Sequence, residues 1–179
     1  VSSLPITLSI VGMTSIIIPA QIECNGTIYT VTSIGEGAFQ YCNSLISIII
    51  PKSITSIGED AFGGCNSLKN IILPPKLTTI GKHAFFKCYS IDSITIPEGV
   101  REIDQEAFRQ CSSLKSINVE ANNLIYDSRN NCNAIVKTST NTLITGCQNT
   151  IIPNSVRCIG DWAFNCCESL TSIFIPKSV

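Results

Sequence analysis

Ten cysteines and one histidine, His83, are the side chains best equipped for nucleophilic, redox or metal chemistry in this 179-residue chain. So many cysteines read at first as a disulfide framework. Their spacing points elsewhere. Cys42, Cys65, Cys88, Cys111 and Cys167 hold one position of an internal repeat, and free cysteine in such a column packs as a small hydrophobe. Stacked extended segments lie about 5 Å apart, near the Cα separation of a disulfide. Parallel side-chain directions make the bond awkward, so buried free thiols are expected. No C-x-x-C pair is present, so no zinc site is expected. His83 stands beside Lys82 at a variable repeat position. A Cys–His pair with Cys88 or Cys65 would need an accessible thiolate, and buried thiols are inert. Glu98, Glu102, Asp104 and Glu106 fall in one coil. They lack the ligand spacing of a calcium loop and read as a solvated face. No phosphate loop, G-x-S-x-G or H-E-x-x-H occurs. The sequence therefore predicts no catalytic, cofactor-binding or metal-ligating residue and no enzyme.

Composition narrows the partners. Charged residues make up 14% and the net charge is −1, with Lys and Arg scattered singly. Nucleic-acid binding needs a clustered positive field, which is absent here. No apolar run is long enough to span a bilayer. The opening Val1-Ser2-Ser3-Leu4 shows no signal peptide, which reads as a processed or trimmed start.

The remaining pattern is architectural. Ala38, Ala61, Ala84 and Ala107 recur every 23 residues, each followed by a phenylalanine (39, 62, 85, 108). Ile34, Ile57, Ile80 and Ile103 keep the same step, and the set returns as Ile159, Gly160, Ala163, Phe164, Cys167, Leu170, Ile173 and Ile175. A fixed period in this range marks a solenoid. In the unit, Ile71 and Leu73 alternate with Asn70 and Ile72, one pair in and one out, as in a strand. Pro74 ends that strand because it lacks an N–H. Leu77 and Ile80 return to the core, Gly81 suits a tight bend, and Ala84-Phe85 fits a short helical or 3₁₀ turn. One unit cannot bury these groups alone; stacked neighbours can. Phe39, Phe62, Phe85, Phe108 and Phe164 should form the main stabilising column. The predicted fold is one elongated α/β solenoid over 1–179, mostly β, a right-handed stack of coils with short parallel strands, short helical turns and two β-hairpin insertions.

Taken in order, residues 1–13 alternate as a strand covering the first coil. Residues 22–31 read as a hairpin around Asn25-Gly26; Asn25-Gly26-Thr27 also spells a glycosylation sequon, though a plain turn is the preferred reading. The register runs cleanly to Val119. From Ala107 to Ala163 is 56 residues, one period plus 33, which places an insertion at 120–151 with a hairpin about Thr138–Asn141. Cys132 and Cys147 flank that turn, either bridged across it or standing as neighbouring thiols. Trp162 should pack against the insertion. The sheet should resume at Thr150-Ile151-Ile152-Pro153. Ile175-Pro176-Lys177-Ser178-Val179 begins another repeat, so the chain reads as cut mid-array or as leaving an open strand edge that pairs with another copy.

The array I-P-x-x-I-x-x-I-G-x-x-A-F-x-x-C-x-S-L-x-x-I resembles the 23-residue leucine-rich repeat of BspA-like proteins over about 14–119 and 150–179. The segments at Asn131–Ile135 and Asn141–Ile144 resemble parts of such proteins from anaerobic gut bacteria. The resemblance implies a leucine-rich-repeat solenoid, secreted or surface-anchored, acting in adhesion to host matrix proteins, other cells or glycans. It carries no common catalytic or ligand-binding residues to transfer.

Two outward columns form the candidate partner-binding face. One is Ser15, Ser47, Asn70, Ser93, Ser116, Asn149 and Ser172; the other is Ile17, Ile49, Ile72, Thr95, Asn118, Ile151 and Phe174. A flat ribbon of this kind suits a protein or extended glycan better than a small molecule. β-branched residues also favour strands whatever they touch, so the columns have a purely structural reading as well. The expected function is a non-catalytic interaction or adhesion module at the cell surface or outside the cell. The alternative is a scaffold that self-associates end to end through its C-terminal edge. No cofactor is implied.

Overall fold

The computed structural model describes residues 12–165 and 167–179. The covering strand expected at 1–13 lies almost wholly outside them. In chain order the strands are β1 (Ser15–Ile17), β2 (Gln21–Cys24), β3 (Thr27–Thr30), β4 (Ser33–Ile34), β5 (Ser47–Ile49), β6 (Ser56–Ile57), β7 (Thr79–Ile80), β8 (Ser93–Ile96), β9 (Glu102–Ile103) and β10 (Ser116–Val119). They are followed by β11 (Tyr126–Asp127), β12 (Ala134–Lys137), β13 (Thr142–Gly146) and β14 (Cys158–Ile159), with one 3₁₀ turn at Arg129–Asn131. The architecture is a stack of repeated coils made almost entirely of short strands and turns.

Like residues lie over like. β4, β6, β7 and β9 form a parallel sheet in which Ile34, Ile57, Ile80 and Ile103 meet in register. β1 pairs with β5, and β8 with β10, also in parallel. Phe39, Phe62, Phe85 and Phe108 stack with centroids 5.3–5.4 Å apart and planes within 6°. This spacing is close to the rise between neighbouring strands, so each coil contributes one ring to the pile. Phe164 does not extend the pile; its ring lies over Gly146, where a Cβ would collide with Phe164 Cε1. The inserted strand β13 has taken the place of a ring.

The Ala-Phe segments are turns rather than the expected helical pieces. Their N–H groups alternate between two kinds of acceptor. Ala61, Gly63 and Cys65 donate within the coil, to Gly58, Asp60 and Phe62. Asp60, Phe62 and Gly64 donate to the next coil, to Lys82, Ala84 and Phe86 at 2.6–2.9 Å. A helix would use every N–H internally and leave the coils unpaired along this edge. The alternation sends some residues into the left-handed region: Gly37, Asp60, His83 and Trp162 before the alanine, and Tyr41, Gly64, Lys87 and Gln110 after it.

Gly81 serves close approach rather than a bend. Its φ is not positive, and a Cβ there would lie 2.8 Å from the Gly58 carbonyl carbon. Where Asp104 takes that position, the turn changes. Glu106 is outside the left-handed region, and its N–H is bonded to Asp104 Oδ1 at 2.9 Å.

The register also persists further than Val119. Tyr126, 23 residues after Ile103, is buried, and its hydroxyl accepts from the Ile103 N–H. Asn123, 23 residues after Val100, is buried in a column otherwise held by Ile54, Leu77 and Val100. It donates to the carbonyls of Pro97 and Val100 and accepts from the N–H groups of Ile125 and Tyr126. A polar residue in a core column hid this coil from the apolar pattern.

Beyond it, β12 and β13 pair antiparallel, and β13 pairs in parallel with β14, so the inserted strands carry the ladder across to the last coil. Cys132 and Cys147 do not face each other. Ala134 stands opposite Gly146, Cys147 packs in the main core and Cys132 in a second, smaller one. Both are free thiols. No strand forms at 150–153 or 170–175, although Ile152 is buried and Ile151 exposed as the alternation requires. The Ile151 N–H goes to Cys132 O instead.

Candidate functional site

The cysteine column is sealed beyond its first level, where Cys42 is half-buried. Cys65, Cys88 and Cys111 are fully buried, and each thiol donates to a phenylalanine carbonyl of the preceding coil at 3.1 Å (Phe39, Phe62 and Phe85). Burial pushes the Cys65 thiol up to about 12, with the neighbouring Cys42 adding to it, and burial likewise pushes Cys111 to about 12. A thiol held that high is protonated at neutral pH and is a poor nucleophile. The four acidic residues of one coil are dispersed. Glu98 accepts from Asn122, Asp104 caps the Glu106 N–H, Glu102 is exposed on β9, and Glu106 faces His83 and Arg109. His83 bonds to Glu106 at 3.2 Å rather than to a cysteine. Trp162 is 51% exposed with the Arg109 guanidinium 4.1 Å over its ring.

The strand columns form a surface. Burying Ile71 and Leu73, Ile94 and Ile96, and Ile117 and Val119 turns the intervening residues outward. Ile17, Ile49, Ile72, Ile151 and Phe174 are exposed by 70, 59, 84, 73 and 78%. Ser15, Asn70, Ser93, Thr95, Ser116, Asn118, Asn149 and Ser172 are exposed too, and Ser47 is half-buried. Ladder pairing sets Ser15 beside Ser47 and Ile17 beside Ile49, and Ser47 bridges to Asn70. Ser93 and Thr95 lie beside Ser116 and Asn118. Ser47 Oγ donates to Ser15 Oγ at 3.2 Å.

The face is not the uniform flat ribbon that the sequence predicts. No ladder joins 70–73 to β8. A shallow open groove of about 420 Å³ lies there, lined by Asn70, Ile72, Ser93, Thr95 and Glu120 among others. Four of the candidate residues thus meet at one place. No period in the sequence marks the break; the double proline Pro74-Pro75, found in this coil alone, is the one local signal.

Six copies of the BspA type leucine-rich repeat region match residues 32–145 and 130–179. The chain belongs to the BspA-type leucine-rich repeat family. A leucine-rich repeat protein from Bacteroides capillosus is 36% identical over 62% of this BspA-type chain and 79% of its own, with a TM-score of 0.55. One from Eubacterium ventriosum superposes on 93% of the chain with a TM-score of 0.68 at 21% identity. The pneumococcal vaccine antigen PcpA covers 93% with a TM-score of 0.58 at 19% identity. The last two share the fold. The chain spans about half the length of the Eubacterium protein (49%) and 61% of PcpA. A search of curated proteins finds no match. No helix among the described residues is long and apolar enough to cross a membrane.

Proposed function

We propose that this BspA-type array is a non-catalytic interaction module that grips a protein or glycan ligand over its strand face, at the cell surface or secreted. The observation that carries the reading is the apolar run Ile17, Ile49 and Ile72, exposed by 70, 59 and 84% beside a row of serine and asparagine side chains. Contiguous exposed apolar groups rimmed by hydrogen-bonding ones mark interaction surfaces. The groove beside Ile72 adds a place where a ligand edge can seat against Ser93 and Thr95. A protein ligand fits the isoleucine end, and a glycan fits the serine and asparagine row. The reading takes 1–179 as a single right-handed stack.

Replacing Ile49 and Ile72 with lysine is expected to abolish binding on an array of matrix proteins and glycans while leaving the fold intact by circular dichroism. Unchanged binding removes this face from consideration. A second reading is end-to-end self-association of the coil stack. Sedimentation separates the two: a monomer at high concentration favours the strand-face module.

A further inference from the structure

Stacking places one set of ligating side chains together that belongs to the turn edge of the coils and not to the strand columns. Asp60 and His83 hold the same repeat position in successive coils, both with positive φ (51° and 54°). Glu59 precedes Asp60. One ligand atom from each of Glu59, Asp60 and His83 lies within 4.8 Å of the other two. Asp60 Oδ1 is 3.9 Å from His83 Nδ1. That is too long for a hydrogen bond, but two metal bonds of about 2.0–2.2 Å across a wide angle span it.

The other imidazole nitrogen is engaged. His83 Nε2 lies 3.2 Å from Glu106 Oε2, which also accepts from Arg109 at 2.8 Å. A carboxylate on one ring nitrogen orients the other toward a metal and makes it a better donor. Lys82 and Arg109 pair with Glu106, on the far side of the ring from Asp60. Glu36 holds the Glu59 position one period earlier. Phe86 packs against the imidazole with centroids 4.9 Å apart and planes tilted by 34°.

We propose that Glu59, Asp60 and His83 bind one divalent ion of the zinc class, with Glu106 as the positioning residue. Nitrogen and carboxylate oxygen together suit Zn²⁺, whereas Mg²⁺ and Ca²⁺ take oxygen sets. With three protein ligands at the surface, solvent completes the coordination.

The test is calorimetric titration of the whole chain with Zn²⁺ in a non-chelating buffer, with Co²⁺ absorption as a second readout. Both use a Cys158→Ser background, because that thiol is exposed. One equivalent should bind, with cobalt bands free of thiolate charge transfer. Asp60→Asn and His83→Asn keep a residue type that tolerates positive φ, so the fold is retained, and each should weaken binding at least tenfold. Glu106→Gln should weaken it by roughly 10- to 100-fold, the usual effect of losing such a partner. Three results would overturn the proposal: no saturable binding up to millimolar Zn²⁺, equal binding by both asparagine variants, or a thiolate band with Co²⁺. Equal binding by both variants means an adventitious ion only.

Discussion

Cutting one ring out of the phenylalanine pile tests the stacking directly. Phe85 is fully buried and lies between Phe62 and Phe108 at 5.4 and 5.3 Å. Phe85→Ala forfeits the burial of a large side chain, about 1.5–3 kcal/mol, and two ring pairs at roughly 0.5–1.5 kcal/mol each. The sum agrees with the roughly 3–5 kcal/mol typical of core Phe→Ala changes. Phe39 is only half-buried and stacks on one ring, Phe62. Phe39→Ala should therefore cost about half as much, roughly 1.5–2.5 kcal/mol. The two costs should differ by on the order of 2 kcal/mol, read as a shift of the urea midpoint at unchanged slope. Phe85→Leu restores most of the volume and should cost less than about 1.5 kcal/mol. Equal costs for Phe39→Ala and Phe85→Ala, or a Phe85→Ala cost under about 1 kcal/mol, would refute a continuous stacked core.

Other outcomes follow from single positions. Gly81→Ala pushes a methyl to 2.8–2.9 Å of the Gly58 and Glu59 backbone, whereas a Cβ at Gly35, in the same column, meets nothing within 4 Å. The first should cost about 1–3 kcal/mol and the second under about 0.5 kcal/mol; equal melting shifts would dismiss the close-approach account. Asn123→Leu restores the repeat's own residue type yet removes four hydrogen bonds, taking the side-chain acceptor from the Ile125 and Tyr126 N–H groups, while the Pro97 and Val100 carbonyls keep the Val100 N–H and Arg101. It should destabilise by about 2–4 kcal/mol, and a stabilised variant by denaturant titration would show that the hydrogen bonds are not needed. The hydrogen bond from His83, and then that from Arg109, hold the Glu106 carboxyl below its ordinary value. Its contribution is therefore complete above the unfolded carboxyl value near about 4.3, and is lost as pH falls through the lower folded one. Glu106→Gln should flatten the stability–pH curve below about pH 4.5; an unchanged curve would show that Glu106 is not linked to folding.

The period, the inward columns and the outward columns were legible along the chain, because a coil that must stack on its own copy repeats its apolar side chains at a fixed step. Ile57 above Ile34 and Phe62 above Phe39 needed only counting. Where one residue type serves two ends, the tertiary structure decided. Asn123 in a core column looked like the start of an insertion, yet four hydrogen bonds make it a core residue. The Ala-Phe segments looked helical, but their N–H groups are shared between coils, a choice that depends on a neighbour 22 residues away. Phe164 kept its place in the pattern and lost its place in the pile, because β13 occupies the level beneath it. The broken ladder beside Ile72 and the meeting of Glu59, Asp60, His83 and Glu106 were decided in three dimensions for the same reason. The repeat dictates which residues stack, but the identity of each pair across coils sets whether backbones bond, part or leave ligand atoms facing one another.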